Sequence, residues 1–174
     1  VRQPGNDWSD NGYWKGFNDH SWTANDLSFE FVWQYSNSGA ILCNKIIEQL
    51  NQQVKGNLPD SIFNRFESEL KCLRSYYYFT LFDAFGRIPY LDTYSGENVP
   101  QSEPWEVWAK LVNTLEEVGP NLPKANVPSK SENYGRATHG LAYALLARLY
   151  LNAESYGVTP ANAKAAGVEG INSS

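Results

Sequence analysis

Metal-binding residues are scarce in this chain. It has two cysteines and two histidines in 174 residues. Cys43 and Cys72 lack CxxC spacing and have no nearby histidine, while His20 and His139 lie far apart without partners at ligand spacing, which excludes the common zinc frameworks. No HExxH, glycine-rich phosphate loop or nucleophile elbow occurs, so nucleotide-binding and hydrolase readings find no support. There is no basic run, and 14 Lys and Arg against 19 Asp and Glu leave a net charge of −5. That balance argues against nucleic acid and against anionic membrane surfaces. No stretch reaches the ~18 consecutive apolar residues of a spanning helix. An initiating methionine, a charged-then-apolar leader and an early lipid-attachment cysteine are also missing, so the chain is expected to be a piece of something longer or a processed form.

Aromatic residues, by contrast, are abundant. Hydrophobics at 42% and aromatics at 14% describe a folded chain, about one domain's worth. A chain of this length can bury roughly 70% of its unfolded surface. Six Trp and eleven Tyr exceed what a helical core needs. Core packing is the commonest use of large aromatics, and holding the faces of sugar rings is another.

The stretch from Phe66 to Leu91 organises the rest. Phe63, Phe66, Leu70, Leu73, Tyr77 and Leu81 step by three or four, a helical period. From Tyr76 to Phe85 only Thr80 and Asp83 are strongly polar, so this half must be covered by neighbours on more than one side. Gly86 suits a helix end with positive φ, and Pro89 forbids an immediate restart.

Residues 1 to 27 read as an aromatic-rich irregular segment, punctuated by Gly, Asn and Asp and interleaved with Trp8, Tyr13, Trp14, Phe17 and Trp22. A first helix is expected from about Asp26, its cap, to Val54, with a kink at Ser36-Asn37-Ser38-Gly39. A second runs from Asp60 or Ser61 to Phe85, giving an antiparallel hairpin with the first. A third follows Ser102 with Pro104 in its first turn and ends at Gly119-Pro120. Residues 121 to 137 read as a surface loop. A fourth helix spans about Thr138 to Tyr156, with Gly140, Ala144 and Ala147 admitting a close neighbour and Leu141, Leu145 and Leu149 filling the other side. Residues 157–174 form an irregular tail. The fold class is therefore all-α, built from antiparallel helix pairs, with residues 28–156 as the helical region. Cys43 and Cys72, each on a helix among apolar neighbours, are either two buried thiols or a disulfide joining those helices.

Three segments carry a family resemblance. Leu73-Arg74-Ser75-Tyr76-Tyr77-Tyr78-Phe79, continuing through Leu81-Phe82-Asp83-Ala84-Phe85-Gly86-Arg87-Ile88-Pro89, resembles the signature helix and loop of the RagB/SusD family, glycan-binding lipoproteins on the surface of Bacteroidetes. Trp33-Gln34-Tyr35 with Ala40 to Ile47 resembles the preceding helix, and Tyr134 to Thr138 with Leu145 to Glu154 a later one. The resemblance covers roughly residues 33 to 156. It implies degenerate tetratricopeptide-like helix pairs with long loops, in the amino-terminal part of a longer lipid-anchored protein on the extracellular face of the outer membrane. It further implies a non-catalytic protein, without cofactor, that captures an oligosaccharide or similar nutrient. Such a protein passes its cargo to a SusC-like TonB-dependent outer-membrane transporter. Arg74, Asp83 and Arg136 fall within these motifs and read as structural, with Asp83 buried in its helix.

Among candidate sites, Trp14, Phe17, Asn18, Trp22 and Asn25 form the best cluster for a sugar. Rings offer flat apolar platforms, and amides donate and accept at once, which suits vicinal hydroxyls. In the family, the stretch before the helix that resembles Trp33 to Ile47 contributes aromatic and Asn residues to the glycan site. Asp7, Ser9, Asn11 and Gly12 match the first half of a calcium loop, but Asn18 stands where its bidentate Glu belongs, so a plain turn is the better reading. The carboxylate neighbours Glu67/Glu69, Glu103/Glu106 and Glu116/Glu117 read as solvated helix charge rather than an acid–base pair. A helical-repeat adaptor that grips a peptide or partner helix is the runner-up, and a carbohydrate-active enzyme a weaker third reading.

Overall fold

The computed structural model describes residues 13–96, 98–124 and 133–168. Its contacts separate two units, Val1–Gln34 and Tyr35–Ser174. The described residues hold six α-helices and, in place of any strand, one isolated antiparallel bridge between Pro89 and Gln101.

The first unit contains a helix where the sequence reads as irregular. It is α1 (Tyr13–Asn18), a turn and a half long, ended by His20 at a positive φ of 56°. The second helix, α2 (Leu27–Gln49), begins in this unit and ends in the next. Asp26 stands just before it, its carboxylate accepting from the Thr23 backbone N–H at 2.6 Å and its carbonyl from the Phe29 N–H at 3.0 Å. No break occurs at residues 36–39. Ser36 is buried, and Gly39 takes the ring of Tyr77 against its backbone, so poor helix formers are retained there for close packing. The irregularity comes later, where Leu50–Val54 shifts to π-helical hydrogen bonding before the turn.

In the second unit, α3 (Asp60–Phe85) is the axis. Its C-terminal stop is Gly86, at φ 71° and ψ −81°, a conformation only glycine takes without strain. Along α2, Gly39, Asn44 and Asn51 meet Tyr77, Arg74 and Glu67 of α3 in turn, so the two run antiparallel. On another side lies α4 (Pro104–Val118), opened by Pro104 and a capping box between Glu103 and Glu106. Lys71–Glu117 and Arg87–Glu103 contacts make α4 antiparallel to α3. The next helix, α5 (His139–Leu151), returns beside α4, where fully buried Trp108 donates its indole N–H to the Leu149 carbonyl at 2.8 Å. Stacked antiparallel pairs of this kind are the tetratricopeptide-like architecture expected.

The aromatic half of α3 is covered in part: Tyr78, Phe79, Leu81 and Phe82 are buried, whereas Tyr76 is 43% exposed and Asp83 and Ala84 face outward. Tyr90 packs on Tyr78 at 4.4 Å between ring centroids, Tyr156 on Phe82 at 4.3 Å, and the Arg148 guanidinium lies 4.6 Å over Phe79. Both cysteines are buried and free. Four expectations need correction. Asp83 is exposed, and binds Arg148 and Tyr156 at the helix surface. Glu69 is buried, held by Arg65 at 3.1 Å and by both Arg136 Nε at 3.0 Å and Nη2 at 2.7 Å. Gly140, Ala144 and Ala147 face outward, while Ala142, Leu145, Leu146 and Leu149 form the buried side of α5. Finally, the tail contains α6 (Pro160–Ala165), which the sequence signals through a Thr159–Asn162 capping box with Pro160 at its first position rather than through periodicity.

Three predictions follow from this packing. A Cβ on Gly39 would stand 2.6 Å from Tyr77 ring atoms. Overpacking of this sort costs about 1–3 kcal/mol and outweighs the ~1 kcal/mol that alanine gains in a helix. Gly39→Ala should therefore lower the urea midpoint, and adding Tyr77→Leu should restore part of it. Arg74 is 5% exposed and donates to Asn44 Oδ1 at 2.8 Å and to the Asp92 carbonyl at 2.6 Å. Arg74→Met leaves the buried Asn44 oxygen unpaired and frees the Asp92 carbonyl from its tie to α3, an expected loss of about 1–3 kcal/mol in the same assay. The third concerns alkali. Burial, with the Glu69 charge adding to it, pushes the Cys72 thiol from 9.0 up to about 11. Burial and then the bond to Asp83 push the Tyr156 phenol from 10.0 up to about 12. Both groups hold their protons more tightly in the fold, so their contribution is intact below pH 9 and is lost as pH rises through 11 and 12. Stability followed by denaturant should be flat from neutral pH to 9 and fall above it, less steeply in a Cys72→Ala/Tyr156→Phe variant.

Candidate functional site

The predicted cluster lies in the first unit, and its three rings come together. Trp14 and Phe17 are three apart on α1, the spacing that puts two side chains on one face, with centroids 6.1 Å apart. The chain then reverses: Asp19 N–H bonds the Lys15 carbonyl, Ser21 N–H bonds the Gly16 carbonyl, and His20 takes its positive φ. This reversal returns Trp22 to Phe17, stacked at 6.1 Å with 22° between planes. Phe17 thus forms the middle of a ladder and also meets Phe29 of α2 at 6.3 Å. The outer rings stay open, Trp14 at 50% and Trp22 at 43% exposure.

The two amides are placed differently. Asn18 ends α1 and donates to the Asp19 carboxylate at 3.1 Å, on the half-buried side of the turn. Asn25 is exposed, in the turn closed by Thr23 and Asp26, where its backbone N–H reaches Thr23 Oγ1 at 3.4 Å. Rings therefore converge and amides flank them. His20 belongs to the cluster as well, its imidazole 5.0 Å from Trp22. Trp8 and the half calcium loop of Asp7, Ser9, Asn11 and Gly12 lie outside the described residues. Among the described residues no group of three His, Cys, Asp or Glu side chains could hold a metal ion, and no helix is long and apolar enough to cross a membrane.

An arrangement of two exposed indoles braced by a half-buried phenyl offers flat apolar area without collapse of the rings onto one another. Its chemistry is adsorption of a ring face, with hydroxyl partners at the edges. The carboxylates read as possible acid–base neighbours are engaged elsewhere. Glu69 lies between two arginines, Glu103 and Glu106 cap α4, Glu116 accepts from Tyr150, and Glu67 and Glu117 flank Lys71.

Comparison with known proteins places this geometry in context. A family profile described as starch-binding and associating with the outer membrane, SusD-like, matches residues 2–151. The starch-binding protein SusD of Bacteroides thetaiotaomicron is 24% identical over 136 residues, 78% of this chain and 23% of that protein. Surface glycan-binding protein A from Bacteroides uniformis superposes with a TM-score of 0.62 at 28% identity, over 71% of this chain and 28% of its own. Surface glycan-binding protein A from Bacteroides thetaiotaomicron, in complex with laminarihexaose, gives a TM-score of 0.60 at 30% identity, over 71% and 25%. The chain thus spans about a quarter of the length of these relatives. With the profile running through both units, from the aromatic segment to the end of α5, the chain belongs to the SusD-like family.

Proposed function

We propose that this chain is the helical part of a non-catalytic, lipid-anchored protein on the outer face of the outer membrane, one that captures an oligosaccharide and hands it to a SusC-like TonB-dependent transporter. The observation that carries the reading is the Trp14–Phe17–Trp22 ladder, with both outer rings exposed, inside the stretch matched by a starch-binding family. Trp22 and Trp14 stack on sugar faces, Phe17 braces them, and Asn18 and Asn25 serve the hydroxyl edge. The relative solved with laminarihexaose and the relative named for starch make glucans the first ligands to try. In the second unit, Tyr35, Ile41, Leu42 and Leu151 are large apolar residues left exposed. They supply apolar area of the kind a permanent protein partner covers, which supports the transporter part of the proposal.

Capture without cleavage is tested by affinity electrophoresis of the full-length protein through gels containing laminarin or starch, with reducing ends assayed in parallel. Retardation by at least one glucan with no new reducing ends is expected. Trp22→Ala should weaken retention about tenfold, in line with loss of a large stacking face. Retention that survives Trp22→Ala together with Trp14→Ala would remove the ladder from the site, and release of reducing sugar would remove the non-catalytic reading.

A further inference from the structure

A cavity of about 280 Å³ opens in the second unit between α2 and the loop that follows α3. Asn44, Glu48 and Asn51 border it from the helix, and Asp92, Thr93 and Tyr94 from the loop. The three helix residues recur at i, i+4 and i+7 on one face, with Ile47 beside them adding an apolar patch to the helix wall. Opposite them Tyr94 keeps 47% of its surface exposed, with Lys45 Nζ 5.9 Å from its ring centroid.

The loop side is held from beneath by buried groups. Tyr78 Oη donates to the Leu91 carbonyl at 2.8 Å and accepts from the Leu91 N–H at 3.1 Å. Asn44 Nδ2 donates to the same carbonyl at 2.9 Å, and Arg74 Nη1 donates to the Asp92 carbonyl at 2.6 Å. Because the backbone at 91 and 92 carries these bonds, the side chains of Asp92, Thr93 and Tyr94 are displayed at the surface on a fixed support. A wall ordered in advance loses little conformational freedom on binding.

The lining selects the ligand class. Two carboxylates, Glu48 and Asp92, oppose an anion, and among the described residues no group of three His, Cys, Asp or Glu side chains stands here to hold a metal. The amides of Asn44 and Asn51 already bond within the protein, but an apolar guest would still strip water from the Asp92 and Glu48 carboxylates and the Thr93 hydroxyl without replacing it. A neutral ring bearing several hydroxyls satisfies all of them: carboxylates accept, Thr93 accepts and donates, and the tyrosine face covers C–H groups. The volume, about 280 Å³, sits just below the ~300 Å³ at which clefts for drug-sized molecules begin, which suits one sugar ring and not a chain.

We infer that the cavity between α2 and the 91–94 loop is a second saccharide site, a subsite for a single sugar residue, in which Tyr94 is the platform and Asp92, Thr93 and Glu48 are the hydroxyl partners. The inference rests on the proposal that the protein binds glycans, and assigns it a site separate from the tryptophan ladder.

Saturation-transfer NMR and calorimetry on the full-length protein test it with free glucose, galactose, mannose, xylose and N-acetylglucosamine, beside laminarihexaose. At least one monosaccharide should bind, about fivefold more weakly in Tyr94→Ala and in Asp92→Asn, and with unchanged affinity in Trp22→Ala. All three positions are exposed, and Asp92→Asn keeps the backbone carbonyl that Arg74 needs, so circular dichroism should show intact folds. Monosaccharide binding indifferent to both loop variants overturns the subsite while leaving glycan capture standing. So does laminarihexaose binding with no response to any free sugar. Failure of every saccharide to bind overturns both proposals together.

Discussion

One buried cation holds the second unit in register. Arg74 lies near the middle of α3 at 5% exposure, and it donates to two uncharged oxygens: the Asn44 amide oxygen on α2 and the Asp92 carbonyl in the loop after α3. A guanidinium taken out of water without a carboxylate must have its donors met by well-placed neutral oxygens, or it costs several kcal/mol. Here Nε still finds no acceptor among the described residues. The position thus tolerates little movement of its partners. Asn44 uses both ends of its amide, accepting from Arg74 and donating to Leu91, so one side chain ties helix to helix and helix to loop. Tyr78, one turn along α3, closes the same loop from below. The distance between α2 and α3 is set at two points, by this polar clamp and by Tyr77 seated over Gly39.

Carboxylates fix the opposite flank of α3. Glu69 receives Arg136 from the segment before α5, and Asp83 receives Arg148 from α5 and Tyr156 beyond it. The two pairs lie on the same strip of α3, and they make α5 run parallel to α3 with α4 between them in sense. They differ in worth. Glu69 is buried, and a bidentate arginine there is strong and specific in geometry. Asp83 and Arg148 are largely exposed, so solvent screens them and the pair contributes little to stability.

Much of this fold was legible because helices are local objects. Apolar spacing from Phe63 to Leu81 and the Gly86 stop placed α3 within a residue at its start and at its end, and Pro104 in the first turn after Ser102 placed the start of α4. What could not be read was which polar group meets which across the fold. Glu67 and Glu69 look alike in sequence, yet only the second points at Arg136; Asp83 sits in an aromatic helix yet faces water. Gly39 shows the same limit from the other side. As a local signal it weakens a helix, and its use appears only when Tyr77 is known to lie against it. For the site, clustered rings in a turn-rich segment were enough to single out Trp14, Phe17 and Trp22, whereas the wall formed by Asp92 to Tyr94 opposite Asn44 and Asn51 depends on residues more than forty apart.

Capture and release of a sugar need surfaces that are ordered but not tightly enclosing. The tryptophan ladder and the 91–94 wall, as the two saccharide faces proposed above, would meet that demand by different means. In the ladder, order comes from rings stacked on rings, with a helical turn and a tight reversal fixing their spacing. In the wall it comes from buried hydrogen bonds to backbone carbonyls, which leave the side chains of Asp92, Thr93 and Tyr94 at the surface. Both put rigidity underneath and chemistry on top, so neither must fold around its ligand, and affinity is limited to what an open face can supply. For the proposed hand-over of cargo that limit would be an advantage, because an enclosed site would bind more tightly and release more slowly.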